Sequence, residues 1–233
     1  MKNSQPLAYF SVSKLSTVLI DLRSHFAFKA RKTMYDLFIK VFSPNKTTSV
    51  LDLGVTPDQT LKESNFFEQL YPWKNNLTAV SIEDASQLEQ VFSGLRFVQI
   101  NGRDLPFKNN EFDIVFCSAV IEHVGTNEQQ AAFVKESLRV AKKFFFTTPN
   151  KKFPLDFHTM LPMIHWLPQP IHQKILRFLG YEFLSKTENL NLLSERTLLN
   201  IFLSAYEYKN IQIYRYRLLG LPSNLVIYGE KNE

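Results

Sequence analysis

Residues 96–124 read RFVQINGRDLPFKNNEFDIVFCSAVIEHV. Two short apolar runs, RFVQI (96–100) and FDIVFCS (112–118), bracket a polar stretch that holds Asn-Gly, a proline and two further asparagines. β-Branched and aromatic side chains dominate both runs, and each is too short for a helix. That is the pattern of strands buried on both faces of a sheet. SVLDLGV (49–55), LTAVSI (77–82) and KFFFTT (143–148) repeat it on either side. The segments between read as helices. Asn65-Phe66-Phe67-Glu68 has the spacing of a capping box opening a short helix, and Asp84–Phe92 suits another. Asn127–Ala141 is amphipathic, with Ala131, Val134, Leu138 and Ala141 on one side. Strands alternating with helices at this spacing predict βαβ units and a parallel sheet.

The rhythm changes toward the end of the chain. Glu195–Tyr206 reads as a helix, followed by two strand-like runs, NIQIYRYRLLG (210–220) and SNLVIYGE (223–230). Only Leu221-Pro222 and their neighbours separate the runs. A parallel crossover needs about a dozen residues, so the pair must be an antiparallel hairpin. Residues 150–194 hold four prolines, three histidines and Trp166. A segment this long between strands is expected to be a lid or acceptor-binding insert. At the other end, residues 12–42 show helical spacing, as in Leu15, Val18, Leu19, Leu22, Phe26 and again in Met34, Leu37, Phe38, Val41. The expected layout is a basic helical N-terminal extension over 1–48 and a catalytic domain over 49–233.

Composition narrows the function classes. The chain has 233 residues, 45% hydrophobic and 21% charged, a globular profile with a sizeable core. No apolar run approaches the ~18–20 residues that cross a bilayer. Met1–Phe10 lacks the basic start and apolar stretch of a secretory leader. Cys117 is the single cysteine, so no intramolecular disulfide forms, and a cytoplasmic location is expected. The net charge of +5 is uneven: residues 1–48 carry eight basic and two acidic side chains, a net of +6. Attraction to phosphates or anionic head groups therefore originates there, which suggests peripheral contact of residues 12–42 with an anionic membrane face. No nucleic-acid partner is expected, since the basic charge is confined to one end.

In open α/β sheets, ligands bind beyond the carboxyl ends of the strands. Asp52 and Gly54 follow the first strand. The glycine permits a tight turn, and an acid there suits a cationic amino group. Ser81 and Glu83 close the second strand, two residues apart and so on one face of an extended chain. A carboxylate at that point suits a pair of ribose hydroxyls. Asn101 and Gly102 follow the third strand, and an amide can both donate to and accept from an adenine edge. Ser118 and then Glu122-His123 follow the fourth. His158, His165 and His172 recur at a spacing of seven. Pro162, Pro168 and Pro170 interrupt any continuous helix there, so no metal site is expected from them. Packing of His158 against Trp166 is the plainer expectation for that residue.

Taken in order, VLDLG, NGRDLPFKNNEFDIVFCSAVIEHV and FFFTTPN resemble the motifs of class I methyltransferases, in the subgroup called type 11. LPF…FDIVF…EHV is the most specific part. The similarity covers about residues 49–150 by motif and extends to 230 by strand order. FPLDFHTMLPMIHWLP (153–168) is similar to a segment after the fifth strand in uncharacterised bacterial members. The resemblance implies an α/β fold with a Rossmann-like, seven-stranded, mostly parallel sheet, an antiparallel C-terminal hairpin and flanking helices. It implies S-adenosylmethionine as cofactor, and methyl transfer to an oxygen or nitrogen of a small-molecule, sugar or lipid-linked acceptor. Asp52 and Gly54 would then line the methionine part, Ser81 or Glu83 the ribose, Asn101 and Gly102 the adenine, and Ser118 the sulfonium end. An acceptor oxygen also needs a base, for which His123 and His158 are the candidates. Two departures stand out. The first motif keeps one of its usual glycines, continuing Gly54-Val55-Thr56-Pro57-Asp58, and Ser81 stands where an acid is usual. They leave open a second reading, a non-catalytic Rossmann-like binding module with a degenerate cofactor motif.

Overall fold

The computed structural model describes residues 17–61, 63–100 and 104–232, with side chains of the first helix described from Ser24 onward. Asn101 and Gly102 lie outside the described residues. Seven strands form one sheet in the order β3-β2-β1-β4-β5-β7-β6. The chain divides into two compact units, one up to Gly102 and one from Arg103.

The first unit holds β1 (Val50–Leu53), β2 (Leu77–Ser81) and β3 (Arg96–Gln99), all parallel. Every residue of β1 and β2 is buried, which is why both read as unbroken apolar runs. β3 is the edge strand, and its arginine and glutamine face water. Helix α1 (Thr17–Phe42) buries Met34, Tyr35 and Phe38. Phe38 meets Phe67 edge-on at 5.2 Å and Tyr71 at 6.5 Å, which fastens α1 to α2 (Phe66–Leu70). Aromatic pairs of this kind add about 0.5–1.5 kcal/mol each beyond area burial. Helix α3 (Leu88–Val91) is shorter than the run predicted over 84–92. The capping box expected at Asn65 does not form. Asn65 adopts a left-handed conformation (φ 49°), caps nothing with its side chain, and leaves Glu68 fully buried. Tertiary demand outweighs the local motif here, because the Asn65 amide is committed elsewhere.

The second unit pairs β4 (Phe112–Ser118) in parallel with β5 (Ala141–Pro149), joined through α4 (Asn127–Arg139). The capping box sits at the start of α4, where Thr126 and Gln129 exchange side-chain and backbone bonds. After α6 (Glu195–Ala205), β6 (Tyr208–Leu218) and β7 (Leu221–Lys231) form the predicted antiparallel hairpin, and β7 lies antiparallel against β5. Its turn is not where the sequence suggested. Leu221 pairs with Leu218 and Pro222 with Arg217, so both lie inside the ladder, and the turn is Leu219-Gly220. Both turn residues have positive φ, 51° and 81°, as a two-residue hairpin turn of the twist-compatible kind requires. Between β5 and α6, α5 (Gln169–Phe178) packs Leu176 with Leu184 and Leu190 in a small core of its own. Among the described residues, no helix is long and apolar enough to cross a membrane.

Candidate active site

In the first unit, the turn after β1 is built by backbone geometry. Gly54 has φ 98°, and its N–H and that of Val55 both donate to the Val80 carbonyl, at 2.8 and 3.3 Å. The loop that lacks the remaining family glycines is held by a residue outside the motif. The Asn65 amide accepts from Thr56 N–H at 3.0 Å and donates to the Thr56 carbonyl at 2.8 Å. A side chain from the start of α2 thus supplies order that glycines alone do not.

Asp52 is 6% exposed, and Glu68 of α2 is wholly buried. Burial drives the Asp52 carboxyl well above the ordinary carboxylate range, and the neighbouring Glu68 charge drives it further. Burial raises Glu68 as well, against the opposing influence of Asp52 and Lys74. The pair therefore holds a proton beyond the pH at which separate carboxyls release theirs. Nothing in the sequence marked Glu68 beyond its place in the supposed capping box.

Ser81 is buried at the last position of β2, and Glu83 is half-buried beyond it. β2 stops at Ser81, so strand alternation does not carry on to Glu83. Their relation is instead local: the Ser81 hydroxyl accepts from the Glu83 N–H at 3.2 Å.

In the second unit, Ser118 ends β4 and its hydroxyl lies 2.9 Å from that of Thr147. The next residue, Ala119, takes φ 57°, a conformation unusual for a residue with a Cβ, and turns the chain into a short 3-10 turn at Ile121–His123. That turn and the segment 150–194 together build a polar cluster. Glu122 is wholly buried. Its Oε2 accepts from Thr148 Oγ1 at 3.0 Å, while its Oε1 meets no hydrogen-bond donor among the described residues. His158 Nε2 stands 3.9 Å from that oxygen. The other ring nitrogen of His158 bonds Asp156 Oδ1 at 3.0 Å, and Thr159 Oγ1 donates to Asp156 Oδ2 at 2.7 Å. His123 stands edge-on to His158 with ring centroids 5.0 Å apart, and its Nδ1 lies 2.7 Å from the Asn189 carbonyl. Burial works to raise the Asp156 carboxyl, but the His158 bond and charge and the surrounding donors outweigh it and bring it down to about 2. Burial, with the His158 charge beside it, lowers His123.

The structure thus joins two of the predicted candidates, His123 and His158, which lie far apart in sequence, and adds Glu122 and Asp156. Packing of His158 on Trp166 is not found. His165 takes that place, with its ring 5.9 Å from Trp166 and its Nε2 at 2.9 Å from the Phe153 carbonyl. The register of seven therefore brings no three histidines together. Asp156-Phe157-His158 was a legible signal, since an aspartate two residues ahead of a histidine readily bonds both its ring and its N–H. A cavity of about 750 Å³ opens beside the insert, lined among others by Glu128, Lys151, Lys152, Trp166, Glu188 and Ser194. That is the size of a small-molecule site.

Residues 51–144 match the family model of the methyltransferase domain. Over that segment the chain is similar to a methyltransferase domain, and its fold is that of class I methyltransferases. The seven-stranded sheet with its antiparallel C-terminal strands is the fold of S-adenosylmethionine-dependent methyltransferases. An S-adenosylmethionine-dependent methyltransferase from Aquifex aeolicus superposes with a TM-score of 0.54 at 13% identity, over 88% of this chain and 98% of that one. An N-methyltransferase from Bradyrhizobium japonicum, in complex with S-adenosylhomocysteine, gives 0.53 at 13% identity over 87% of each chain. A magnesium protoporphyrin IX methyltransferase from Synechocystis, with the same product bound, gives 0.56 at 13% over 94% of this chain and 89% of that one. Among curated proteins, none matches this sequence.

Proposed function

We propose that this methyltransferase acts on an oxygen or nitrogen of a small-molecule, sugar or lipid-linked acceptor, and that the Glu122–His123–His158 cluster is where the acceptor's nucleophile is prepared. The observation that carries this reading is the pairing of a buried carboxylate oxygen, which lacks a donor among the described residues, with an imidazole oriented by Asp156. Such an oriented group is what catalysis at an acceptor heteroatom requires. The acceptor atom attacks the methyl carbon in line with sulfur. A bond forms from acceptor to carbon, the carbon–sulfur bond breaks, and its electron pair stays on sulfur. Close alignment supplies much of the rate.

On the cofactor side, Asp52 and Gly54 are proposed at the methionine part, Ser81 and Glu83 at the ribose, Asn101 and Gly102 at the adenine, and Ser118 near the sulfonium. The buried Asp52–Glu68 pair supports the first of these. Two carboxyls buried against each other favour a ligand that brings an ammonium. Calorimetric titration of S-adenosylhomocysteine tests the assignment: binding in the wild type and at least ~100-fold weaker binding in Asp52→Ala is expected. No binding to the wild type would favour a non-catalytic module.

Peripheral contact of residues 12–42 with an anionic membrane, at a cytoplasmic face, is the partner proposed for a lipid-linked acceptor. Lys29, Lys32 and Lys40 are exposed on the described part of α1, with Phe26 and Val41 also reaching solvent.

A further inference from the structure

Three donor atoms, one each from Glu122, His123 and His158, lie within 4.8 Å of one another. We propose that they bind a single divalent ion of the zinc class, and that this ion is what activates the acceptor. The inference rests on the methyltransferase reading above and refines it, since the imidazoles then act as ligands in place of free bases.

Four features of the cluster fit a metal site. First, Glu122 is wholly buried, and its Oε1 faces the cluster without a hydrogen-bond donor among the described residues. A buried carboxylate oxygen in that condition is costly unless a cation meets it. Second, each donor residue is fixed from behind. The Asn189 carbonyl accepts from His123 Nδ1 and so directs Nε2 inward. Asp156 does the same for His158 through Nδ1, the carboxylate–histidine arrangement that commonly supports a ligating imidazole. Thr148 holds the second oxygen of Glu122. Third, the donor set is two nitrogens and one oxygen, which suits a borderline ion better than magnesium or calcium, whose ligands are oxygens. Fourth, three protein ligands leave a coordination position open, as catalytic sites do and closed structural sites do not.

The spacing is wider than in a filled site. Bonds of ~2.0–2.1 Å in a tetrahedral arrangement put ligand atoms about 3.3 Å apart. The 3.9 Å between Glu122 Oε1 and His158 Nε2 closes by small rotations of the two side chains. The open position then takes an acceptor hydroxyl, whose acidity the ion raises. The hydroxyl proton leaves to solvent, and the oxygen attacks the methyl carbon.

The test uses the full chain, stripped with a chelator and titrated with Co²⁺, whose visible d–d bands report nitrogen ligation at four- or five-coordinate geometry. One equivalent is expected to give those bands in the wild type and in His172→Ala. His158→Ala and Glu122→Gln should give none, and Asp156→Asn should bind about 10–100-fold more weakly. Absence of bands in the wild type, or bands unchanged in both ligand variants, would overturn the proposal. S-adenosylhomocysteine is titrated in parallel into the stripped protein. Product binding without Co²⁺ bands removes the metal and leaves the methyltransferase reading. Co²⁺ bands without product binding keep the metal site and remove its assignment to methyl transfer.

Discussion

Each unit of the chain holds a pair of buried carboxylates at its candidate site, Asp52 with Glu68 and Glu122 with Asp156, and the two pairs are handled in opposite ways. Asp52 and Glu68 face each other, and burial pushes both carboxyls up. Glu122 and Asp156 share His158 between them, and Asp156 is brought down to about 2. The first pair stores a proton, whereas the second is organised by imidazole nitrogens. Two acids buried against each other suit a cationic ligand. Two acids buried around histidines suit chemistry at a heteroatom. On the proposed roles, the contrast separates donor binding from acceptor activation, and each can be broken without the other.

The largest effect belongs to the second cluster. His158→Ala should lower methyl transfer about 10²–10⁴-fold, the range of a positioned acid–base or metal-supporting group. Affinity for S-adenosylhomocysteine should stay within about twofold. The side chain is partly exposed, so the fold should tolerate its loss. Steady-state kinetics beside calorimetry decides the matter, and a variant that loses product affinity in step with turnover would erase the distinction between the clusters.

A smaller effect sharpens the first cluster. Unfolded carboxyls release their protons near pH ~4. The folded Asp52–Glu68 pair keeps its proton to higher pH, so the native state binds more protons in between. Stability is then fully present below that range and drains as pH rises through the pair's own raised value. Glu68→Gln removes one ionisable partner while keeping shape and hydrogen-bonding capacity. It should melt above the wild type at about pH 8, with the gap closing toward pH ~4, each unit of pKa shift being worth about 1.4 kcal/mol. Thermal unfolding across that range reads it, and a gap that widens toward acid would reverse the assigned direction.

The legibility of the two regions differs for the same physical reason. β4 stands at Phe112–Ser118, where its apolar run lies, because a strand buried on nearly all positions writes itself into local composition. The hairpin was legible as a consequence of chain length, but its turn was not, since Leu219 takes a positive φ that its side chain does not advertise. Asn65 and Glu68 match a helix-start motif locally, yet their side chains answer to Thr56 and Asp52, partners on the other side of a loop. Asp52, His123 and His158 were visible as candidates. The meeting of His158 with Glu122 was not, because 36 residues separate them and only the path of the segment after β5 brings them together.

The smallest effect concerns the outer surface of the first unit, where the lysines of α1 reach solvent. The chain's first 48 residues carry a net of +6, and the exposed lysines of α1 lie on the face away from Met34 and Phe38. Lys32 is partly neutralised by Asp36 at 3.2 Å, which leaves Lys29 and Lys40 as the stronger described contributors. Each basic side chain near an anionic bilayer is worth about 1 kcal/mol, and the attraction decays over a Debye length of ~8–10 Å at physiological salt. Vesicles containing anionic lipid should therefore retain the protein at low salt and release it as salt rises, and neutral vesicles should not retain it. Lys29→Glu with Lys40→Glu should weaken retention by about tenfold or more while leaving the affinity for S-adenosylhomocysteine unchanged. Equal retention on neutral and anionic vesicles would mean that the exposed Phe26 and Val41, and not the lysines, hold the protein there.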